Sequence, residues 1–583
     1  MPRIIGLILI VALTIAASLA SNFRDTLWAG YRDYISPYMT ELPAGPPRPA
    51  LSPRIVVVLA RGLRLDASRQ MSALNELRRR GADVTVMLDT PTYRLPRWLT
   101  LISGASAQMH GVTTNYPARL GSADTLIRQA QANGRNTAFI GSQPFDEILG
   151  AGAGRFELTE GLDMNDRDDL AITATLAVLS DAVSPASLVF TELALLEESA
   201  RFGQRGYDIA VNATDRRLRV LMDAIDLNTT TLIVISDRGV IFGPGDALDG
   251  GDETEVARAP MVMAGAGIQP NSQALINATD VAPTLAALVG APMPVHAQGQ
   301  IALSVLDISG APAADAETPP IVNQLMWASA AQLATFYERW SEIANTPRFA
   351  AETLRLHENR IKNGEVAAYQ SFVMSVTAQA QAARDGRLAA ERARRLPALI
   401  GAGLLLLAIA LVAIGWRMWQ PLAGAALYLP AWYAFVFFVQ GNRLSLSMLP
   451  DSNPAAFFAA FERDAALSLG LLCLLVAATT GEQEDGLEAI SAVMNTLALV
   501  MCAHLAAVVW FYWQWSVDFT WSLPAPSALI ASLMALSHIS ALSVQVSPTL
   551  PNLPVPLIAA IATLVVYGFA RQRAERNRRR WWH

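Results

Sequence analysis

The sequence predicts an α/β domain, a mainly parallel sheet with helices on both faces, followed by a helical stalk and a multi-span α-helical membrane domain. Three observations predict it. From Arg54 to about residue 312, short apolar runs alternate with helical patterns. Residues 313–395 then turn Ala-, Glu- and Arg-rich, with apolar residues at helical spacing. From residue 396 the chain is a series of apolar stretches, each near the roughly 20 residues needed to cross a bilayer.

Residues 4–20 form an apolar run after Met1-Pro2-Arg3, so residues 1–22 read as a membrane anchor or a signal. Residues 23–53 read as a Pro-rich linker, with Pro43, Pro46, Pro47, Pro49 and Pro53. Ile55–Ala60 is a continuous apolar run, as expected of a strand buried on both faces. Ala82–Leu88, Thr137–Ile140, Ser187–Thr191, Leu232–Ser236 and Pro260–Ala264 read as further strands. Ala67–Arg80, Ala123–Asn133, Tyr207–Ile225 and Asp280–Val289 read as helices between them. Residues 313–395 read as two or three helices, a stalk or a helical hairpin that either packs on the domain or leads into the membrane, with Leu325, Ala328, Leu333, Phe336 and Trp340 at helical spacing. The membrane domain, 396–570, contains about six spans: 397–416, 421–440, 464–480, 489–512, 525–545 and 553–570. A basic tail, 571–583, ends in Trp581-Trp582-His583.

Composition agrees with this division. Of 583 residues, 52% are hydrophobic and 16% charged, against about 25% charged in a soluble domain. That excludes an all-soluble enzyme and a disordered chain. The net charge of −6 argues against nucleic acid as a partner. Lys362 is the single lysine among 44 basic residues, a bias that a GC-rich genome produces. Cys473 and Cys502 both lie in apolar segments, which excludes a disulfide framework and a thiolate zinc site. The N-terminal segment places the large domain outside the cytoplasm, whereas the basic tail and the cluster Arg384, Arg387, Arg392, Arg394 and Arg395 favour the cytoplasmic side. Because a large domain translocates regardless of its charge, an integral multi-pass protein with an extracytoplasmic domain is expected.

Four stretches of the soluble domain recur in a known order. The first is Val56-Val-Val-Leu-Ala-Arg61-Gly-Leu-Arg64-Leu-Asp66. The second runs from Thr90-Pro-Thr-Tyr-Arg94-Leu-Pro96 to Gly104, closed by His110-Gly111-Val112 and Asn115. The third is Leu232-Ile-Val-Ile-Ser-Asp237-Arg238-Gly239. The fourth is Ala259-Pro-Met-Val-Met-Ala-Gly-Ala-Gly-Ile268, with Asp280-Val-Ala-Pro-Thr284-Leu and Gly290. Together they resemble the alkaline phosphatase superfamily over about residues 52–300. They are most similar to its branch of nucleotide pyrophosphatase/phosphodiesterases and glycosylphosphatidylinositol ethanolamine-phosphate transferases.

The resemblance implies an alkaline phosphatase-like fold. It also implies two divalent metal ions, such as zinc or manganese, that hold a phosphoryl group while a Ser or Thr oxygen attacks it. Carried over residue by residue, the family's reacting positions are changed. Its first Asp ligand falls on Arg61, and its nucleophile on Arg94. Its Asp-x-x-x-His pair falls on Glu197 and Arg201, and its Asp-His pair on Asp237 and Arg238. Its His-Gly-Gly position falls on Asp249, and its late His on His296. A guanidinium stays protonated and offers no lone pair, so arginine cannot ligate a metal or act as the nucleophile.

The expectation is therefore a membrane-anchored pseudoenzyme, with no cofactor and no catalytic residue, the nucleophile position being degenerate at Arg94. Residual metal candidates are Asp237, Asp249, Glu197 and His296. Arg61, Arg94, Arg201 and Arg238 are anion-binding candidates if they converge at the carboxyl ends of the strands. The alternative at these positions is that the arginines pair with Glu197, Asp237 and Asp249 and staple an inactive site. Expected partners are membrane lipids and an anionic headgroup, a glycan or a protein. Two other functions stay open: a divergent phosphotransferase or phosphodiesterase acting on lipid-linked or envelope substrates, and a transport or assembly role of the membrane domain. His110 reads as a turn cap and Asp280 as a helix N-cap. Cys502, His504 and His538, in the spans, read as packed between helices.

Overall fold

A computed structural model describes residues 2–119, 123–142, 155–158, 163–242, 247–308, 320–415, 418–450, 452–480, 486–516, 519–544 and 553–580. Trp581, Trp582 and the boundary expected at 312/313 lie outside them. The chain forms two compact units. One is Arg32–Arg387 with Thr520–Ser522; the other is Met1–Tyr31, Leu388–Phe519 and Leu523–His583.

The first unit is built on strands β1 (Arg54–Ala60), β2 (Ala82–Met87), β3 (Thr137–Gly141), β4 (Arg155–Leu158), β5 (Leu188–Leu193) and β6 (Thr230–Ile235). A small hairpin follows, β7 (Ile241–Phe242) and β8 (Ala247–Leu248), then β9 (Arg258–Gly265) and β10 (Ser272–Asn277). The main sheet has eight strands in the order β10-β2-β9-β6-β1-β5-β3-β4. Only β9 runs antiparallel, against both β2 and β6. The expected mainly parallel α/β sheet is therefore present. β4 and β10 have no counterpart in the sequence reading, because they are edge strands without an apolar run; β10 alternates exposed with half-buried residues until Ile276.

β1 shows why a buried strand reads as continuous apolar sequence. Ile55, Val57 and Leu59 enter the core on one face, while Val56, Val58 and Ala60 enter the core on the other. The first face is covered by the helices Arg94–Ser103, Leu126–Ala132 and Val281–Val289, through Trp98, Leu126 and Leu285. The second is covered by Ser72–Arg80, Met164–Ser180 and Gly203–Ala224, through Leu74, Ile172 and Tyr207.

Several boundaries differ from the sequence reading. The helix expected over Ala67–Arg80 is two, Leu65–Ser68 and Ser72–Arg80. The second starts where the Asp215 carboxylate accepts hydrogen bonds from the Ser72 and Ala73 amides, a cap supplied from a distant helix. Pro2–Arg32 is one helix, so residues 23–32 belong to it and not to the Pro-rich segment. Of the two placements open for residues 313–395, the helices take the one on the α/β domain. Leu325, Leu333, Phe336 and Trp340 of helix Ile321–Ala344, and Tyr369 and Phe372 of helix Val366–Gly415, are part of the same core as β1. Their helical spacing marks a face that needs burial, and the sheet-covering layer provides it.

In the second unit helices lie at every expected span. Among the described residues, four helices are long and apolar enough to cross a membrane: Ile8–Arg32, Val366–Gly415, Trp419–Val439 and Gly486–Trp515. Pro454–Thr480, Pro526–Ser540 and Val555–Arg580 complete the described helices.

Candidate functional site

The parallel register brings the key positions together. β1 lies between β5 and β6, with Leu59 level with Glu192 on one side and Ile235 on the other. Residues at the carboxyl ends of the three strands therefore meet at one edge of the sheet, where open α/β sheets place their sites. Arg61 follows β1, Glu192 lies near the end of β5, and Asp237 and Arg238 follow β6. Helix Leu195–Ala200 adds Glu197, the segment after β8 adds Asp249, and helix Arg94–Ser103 adds Arg94 and Trp98. Gly62 has φ +72°, and a Cβ there would lie 3.2 Å from Cα of Glu197, so glycine permits this close approach.

These side chains form one ion-pair network. Arg238, fully buried, donates from Nη1 to Oδ2 of Asp237 at 2.6 Å and from Nε to Oδ2 of Asp249 at 2.6 Å, and pairs with Glu197. Arg61, also buried, donates from Nη1 to Oε1 of Glu192 at 2.6 Å and pairs with the other oxygen of Glu197. Asp237 further accepts from the Gly62 amide and from the Trp98 indole, each at 3.0 Å. Glu192 accepts from the amide and hydroxyl of Ser142, each at 2.7 Å. The Trp98 ring lies under two guanidiniums, with Arg61 at 5.6 Å and Arg94 at 5.5 Å from its centre.

The electrostatics follow from this pairing. Burial pushes the Glu197 carboxyl up, but the guanidiniums of Arg238, Arg61 and Arg94 outweigh it and hold the group far below the ordinary carboxylate range. Burial works against the charge on Arg61 and Arg238, and the surrounding carboxylates reverse it, so both are raised. Arg94 is lowered, first by burial and then by repulsion from Arg61. Three guanidiniums thus face four carboxylates, and the network has no excess of positive charge.

Of the four arginine candidates, Arg61 and Arg238 are in the network and Arg94 stands over Trp98 beside it. Arg201 is not brought to it. Its side chain is 53% exposed and folds back on its own turn, pairing with Glu198 and donating from Nε to the Glu198 carbonyl at 3.0 Å. A residue four places after Glu197, at the end of a short helix, is carried to the solvent side. The convergence of all four arginines is thereby corrected. Asp237, Asp249 and Glu197 are together, but His296 is engaged elsewhere: its Nε2 bonds the Thr40 carbonyl at 2.8 Å.

The remaining readings are refined. His110 is buried, accepts from the Val112 amide at 3.1 Å and lies 3.2 Å from the Thr100 hydroxyl. Burial, aided by Arg97, lowers it to about 3 and keeps it neutral. Asp280 is not an N-cap by its side chain. It is the last residue of the turn Ala278–Asp280, where it closes a capping box by accepting from the Asn277 amide at 2.9 Å, and it also accepts from Gln300 at 2.8 Å. Glu192 and Trp98 were not anticipated. The signal for Glu192 was a lone carboxylate at the end of the apolar run Leu188–Leu193.

The two-metal centre that the resemblance implies does not fit these residues. The oxygens of Asp237, Asp249 and Glu197 that would ligate a cation are taken up by Arg238 and Arg61. Among the described residues no three His, Cys, Asp or Glu side chains gather to hold an ion. The hydroxyl of Thr92, near the nucleophile position, is buried and donates to the Gly251 carbonyl at 2.7 Å.

No protein-family model matches this chain, and no curated protein matches it. Solved structures similar to it come from the alkaline phosphatase superfamily and its neighbours. Murine ectonucleotide pyrophosphatase/phosphodiesterase 5 is 14% identical, over 41% of this chain and 96% of its own, with a TM-score of 0.36. An alkaline phosphatase superfamily protein from Vibrio parahaemolyticus is 18% identical, over 49% of this chain and 78% of its own, with a TM-score of 0.36. A phosphonate monoester hydrolase from Silicibacter pomeroyi is 11% identical, over 43% and 76%, with a TM-score of 0.35. At such identities the site's chemistry has to be read from this chain's own residues.

Proposed function

We propose that this protein is a membrane-anchored, alkaline phosphatase-like pseudoenzyme whose former reaction centre is a structural ion-pair network. The observation that carries this reading is Arg238, whose guanidinium engages Asp237, Asp249 and Glu197 at once. A cation would have to displace a buried, fully paired guanidinium to reach those oxygens, at the cost of leaving that charge uncompensated. The domain then works by binding, presenting its surface to a membrane lipid headgroup, glycan or protein on the extracytoplasmic side. Arg94 is where an anionic group would be met, because it has no ion pair among the described residues and its ring partner Trp98 holds it at the edge of the network. The four-carboxylate balance disfavours an anion deeper than that.

The test is metal analysis of the purified full chain, with assays on phosphomonoester, phosphodiester and sulfate ester substrates. The expected result is no stoichiometric zinc or manganese and no turnover, in the wild type and in Asp237→Ala alike. Bound metal with turnover that Asp237→Ala abolishes would instead establish a divergent phosphotransferase. Reporter fusions at residue 300 and at the tail test the orientation, and a cytoplasmic signal at residue 300 would reverse it.

A further inference from the structure

The arginine run between Arg384 and Arg395 has no part in the network above, and the two units divide it. Arg384 and Arg387 belong to the first unit. There Arg384 donates to Ser522 Oγ at 3.1 Å, and Arg387 lies over the Trp521 ring at 4.0 Å from its centre. Arg392, Arg394 and Arg395 belong to the second unit.

Two helices mark one membrane–water boundary at these three residues. In helix Val366–Gly415, residues 396–415 carry no Asp, Glu, Lys or Arg. In helix Gly486–Trp515, residues 489–515 carry none either, and the last turns hold Trp510, Tyr512, Trp513 and Trp515. Tryptophan and tyrosine collect at headgroup level, where a ring meets hydrocarbon and its polar atom meets water. Both charge-free stretches end at one contact. The Trp513 indole donates to the Arg392 carbonyl at 3.0 Å, and Arg395 Nη1 donates to the Tyr512 and Trp513 carbonyls at 2.9 Å each. From residue 392 to residue 396 the helix rises about 6 Å. The headgroup layer on each side of a bilayer is about 5–7 Å thick.

The three arginines are not equally occupied. Arg395 caps the end of helix Gly486–Trp515 through those two carbonyls and pairs with Glu391 at 3.2 Å, so its position has a structural reason. Arg392 is half-buried. Its Nε reaches the Gln514 carbonyl at 3.5 Å, and its guanidinium lies 5.5 Å from the centre of the Trp515 ring. Its two terminal nitrogens have no partner among the described residues. Arg394 is exposed and has none either. Residues two apart on a helix point to different sides, so the two free charges flank it. A solvated arginine at any depth would satisfy itself with water. These two stand in the layer where lipid phosphates lie, and a guanidinium fork matches phosphate oxygens.

We propose that Arg392 and Arg394 form a collar that gathers anionic phospholipids around this helix, with Trp515 holding the guanidinium of Arg392 at headgroup depth. The occupant is a lipid and not a soluble phosphate, because the charge-free stretches and the tryptophans set the two charges at the boundary. The proposal concerns the second unit alone and does not rest on the reading of the ion-pair network.

The full chain, reconstituted in phosphatidylcholine vesicles with a trace of spin-labelled phosphatidylglycerol or spin-labelled phosphatidylcholine, tests this. The fraction of motionally restricted label reads the lipid held at the protein surface. Wild type is expected to hold phosphatidylglycerol in preference to phosphatidylcholine, and raised salt is expected to weaken that preference. Arg392→Gln with Arg394→Gln is expected to lower it at least about fivefold, the contribution of a single arginine near a charged surface. The restricted phosphatidylcholine is expected to stay the same, which reads an intact bundle. A tail variant with Arg578→Gln, Arg579→Gln and Arg580→Gln is expected to lose less. No preference in the wild type, no loss in the Arg392 and Arg394 variant, or a loss confined to the tail variant overturns the proposal. An equal fall for both lipids overturns it too, since charge would then not be what is read. Inorganic phosphate that removes the preference where chloride of equal ionic strength does not would place a soluble-anion pocket there, and the lipid collar would fall.

Discussion

Arg238 holds Asp237, the residue before it in the chain, through an Nη1–Oδ2 hydrogen bond of 2.6 Å, with both side chains out of solvent. Adjacent residues seldom face each other in a strand. Here β6 has ended at Ile235, and the turn lets the guanidinium fold back while it reaches Asp249 and Glu197. Arg238→Ala leaves those carboxylates buried without their cation. A loss of about 3–5 kcal/mol is expected, read as a lower unfolding temperature of the full chain in detergent.

Arg201→Ala is the contrast. The side chain is exposed and bonded within its own turn, so the change is expected to stay within about 0.5 kcal/mol. The same unfolding measurement reads it. A cost as large as that of Arg238→Ala would place Arg201 in the network after all.

Trp98→Phe keeps an aromatic face for Arg61 and Arg94 but removes the indole N–H that Asp237 accepts at 3.0 Å. A destabilisation of about 1.5 kcal/mol is expected from one lost hydrogen bond to a charged acceptor, since Arg238 Nη1 still donates to the same oxygen. The comparison of Trp98→Phe with Trp98→Leu separates the lost hydrogen bond from the lost ring.

Gly250 has φ +102°, and a Cβ there would come within 2.3 Å of the Tyr93 ring. Gly250→Ala is expected to cost well over about 1 kcal/mol, since it adds backbone strain to a collision. The carbonyls of Gly250 and Gly251 also hold the amide and hydroxyl of Thr92, so the loop Thr92–Arg94 should lose protection in hydrogen exchange.

Asp280 supplies a pH dependence with a definite sign. Burial raises it to about 6, against the opposing pull of the Gln300 and Asn277 amides. Its unfolded value is about 3.9. A raised acid stabilises the fold in its protonated form, so that contribution is complete below about pH 4 and is lost as pH rises through 6. Denaturant unfolding between pH 4 and 7 is expected to show a slope on the order of 2 kcal/mol that Asp280→Asn removes. Asp168, raised to about 6 by burial against the Ala194 and Leu195 amides, keeps its own slope in that variant.

Much of this was legible in the residues. The apolar runs of β1, β5, β6 and β9 mark strands buried on both faces, and motif order placed Arg61, Arg94 and Arg238 on the reacting positions of the resembling family. Local signals failed where partners are distant. Asp215 capping Ser72–Arg80 and Glu192 pairing with Arg61 join residues more than a hundred positions apart, and no periodicity reports such a contact. The helices after Ile321 stayed open between two placements for the same reason: an apolar helical stripe shows that a face is buried but not against what.

By itself, the sequence determined the alternating α/β pattern, the apolar helices of the second unit and the loss of ligand-competent side chains where arginine stands. Those properties belong to single residues and short runs. Only the tertiary structure decided which charges meet. Parallel register sets Arg61, Glu192 and Asp237 on one sheet edge, while the turn after Ala200 carries Arg201 into solvent. Pairing energy depends on separation and burial, which strand order creates and residue identity does not. That is why four arginines, alike in the sequence, divide into two buried in ion pairs, one over a tryptophan and one at the surface.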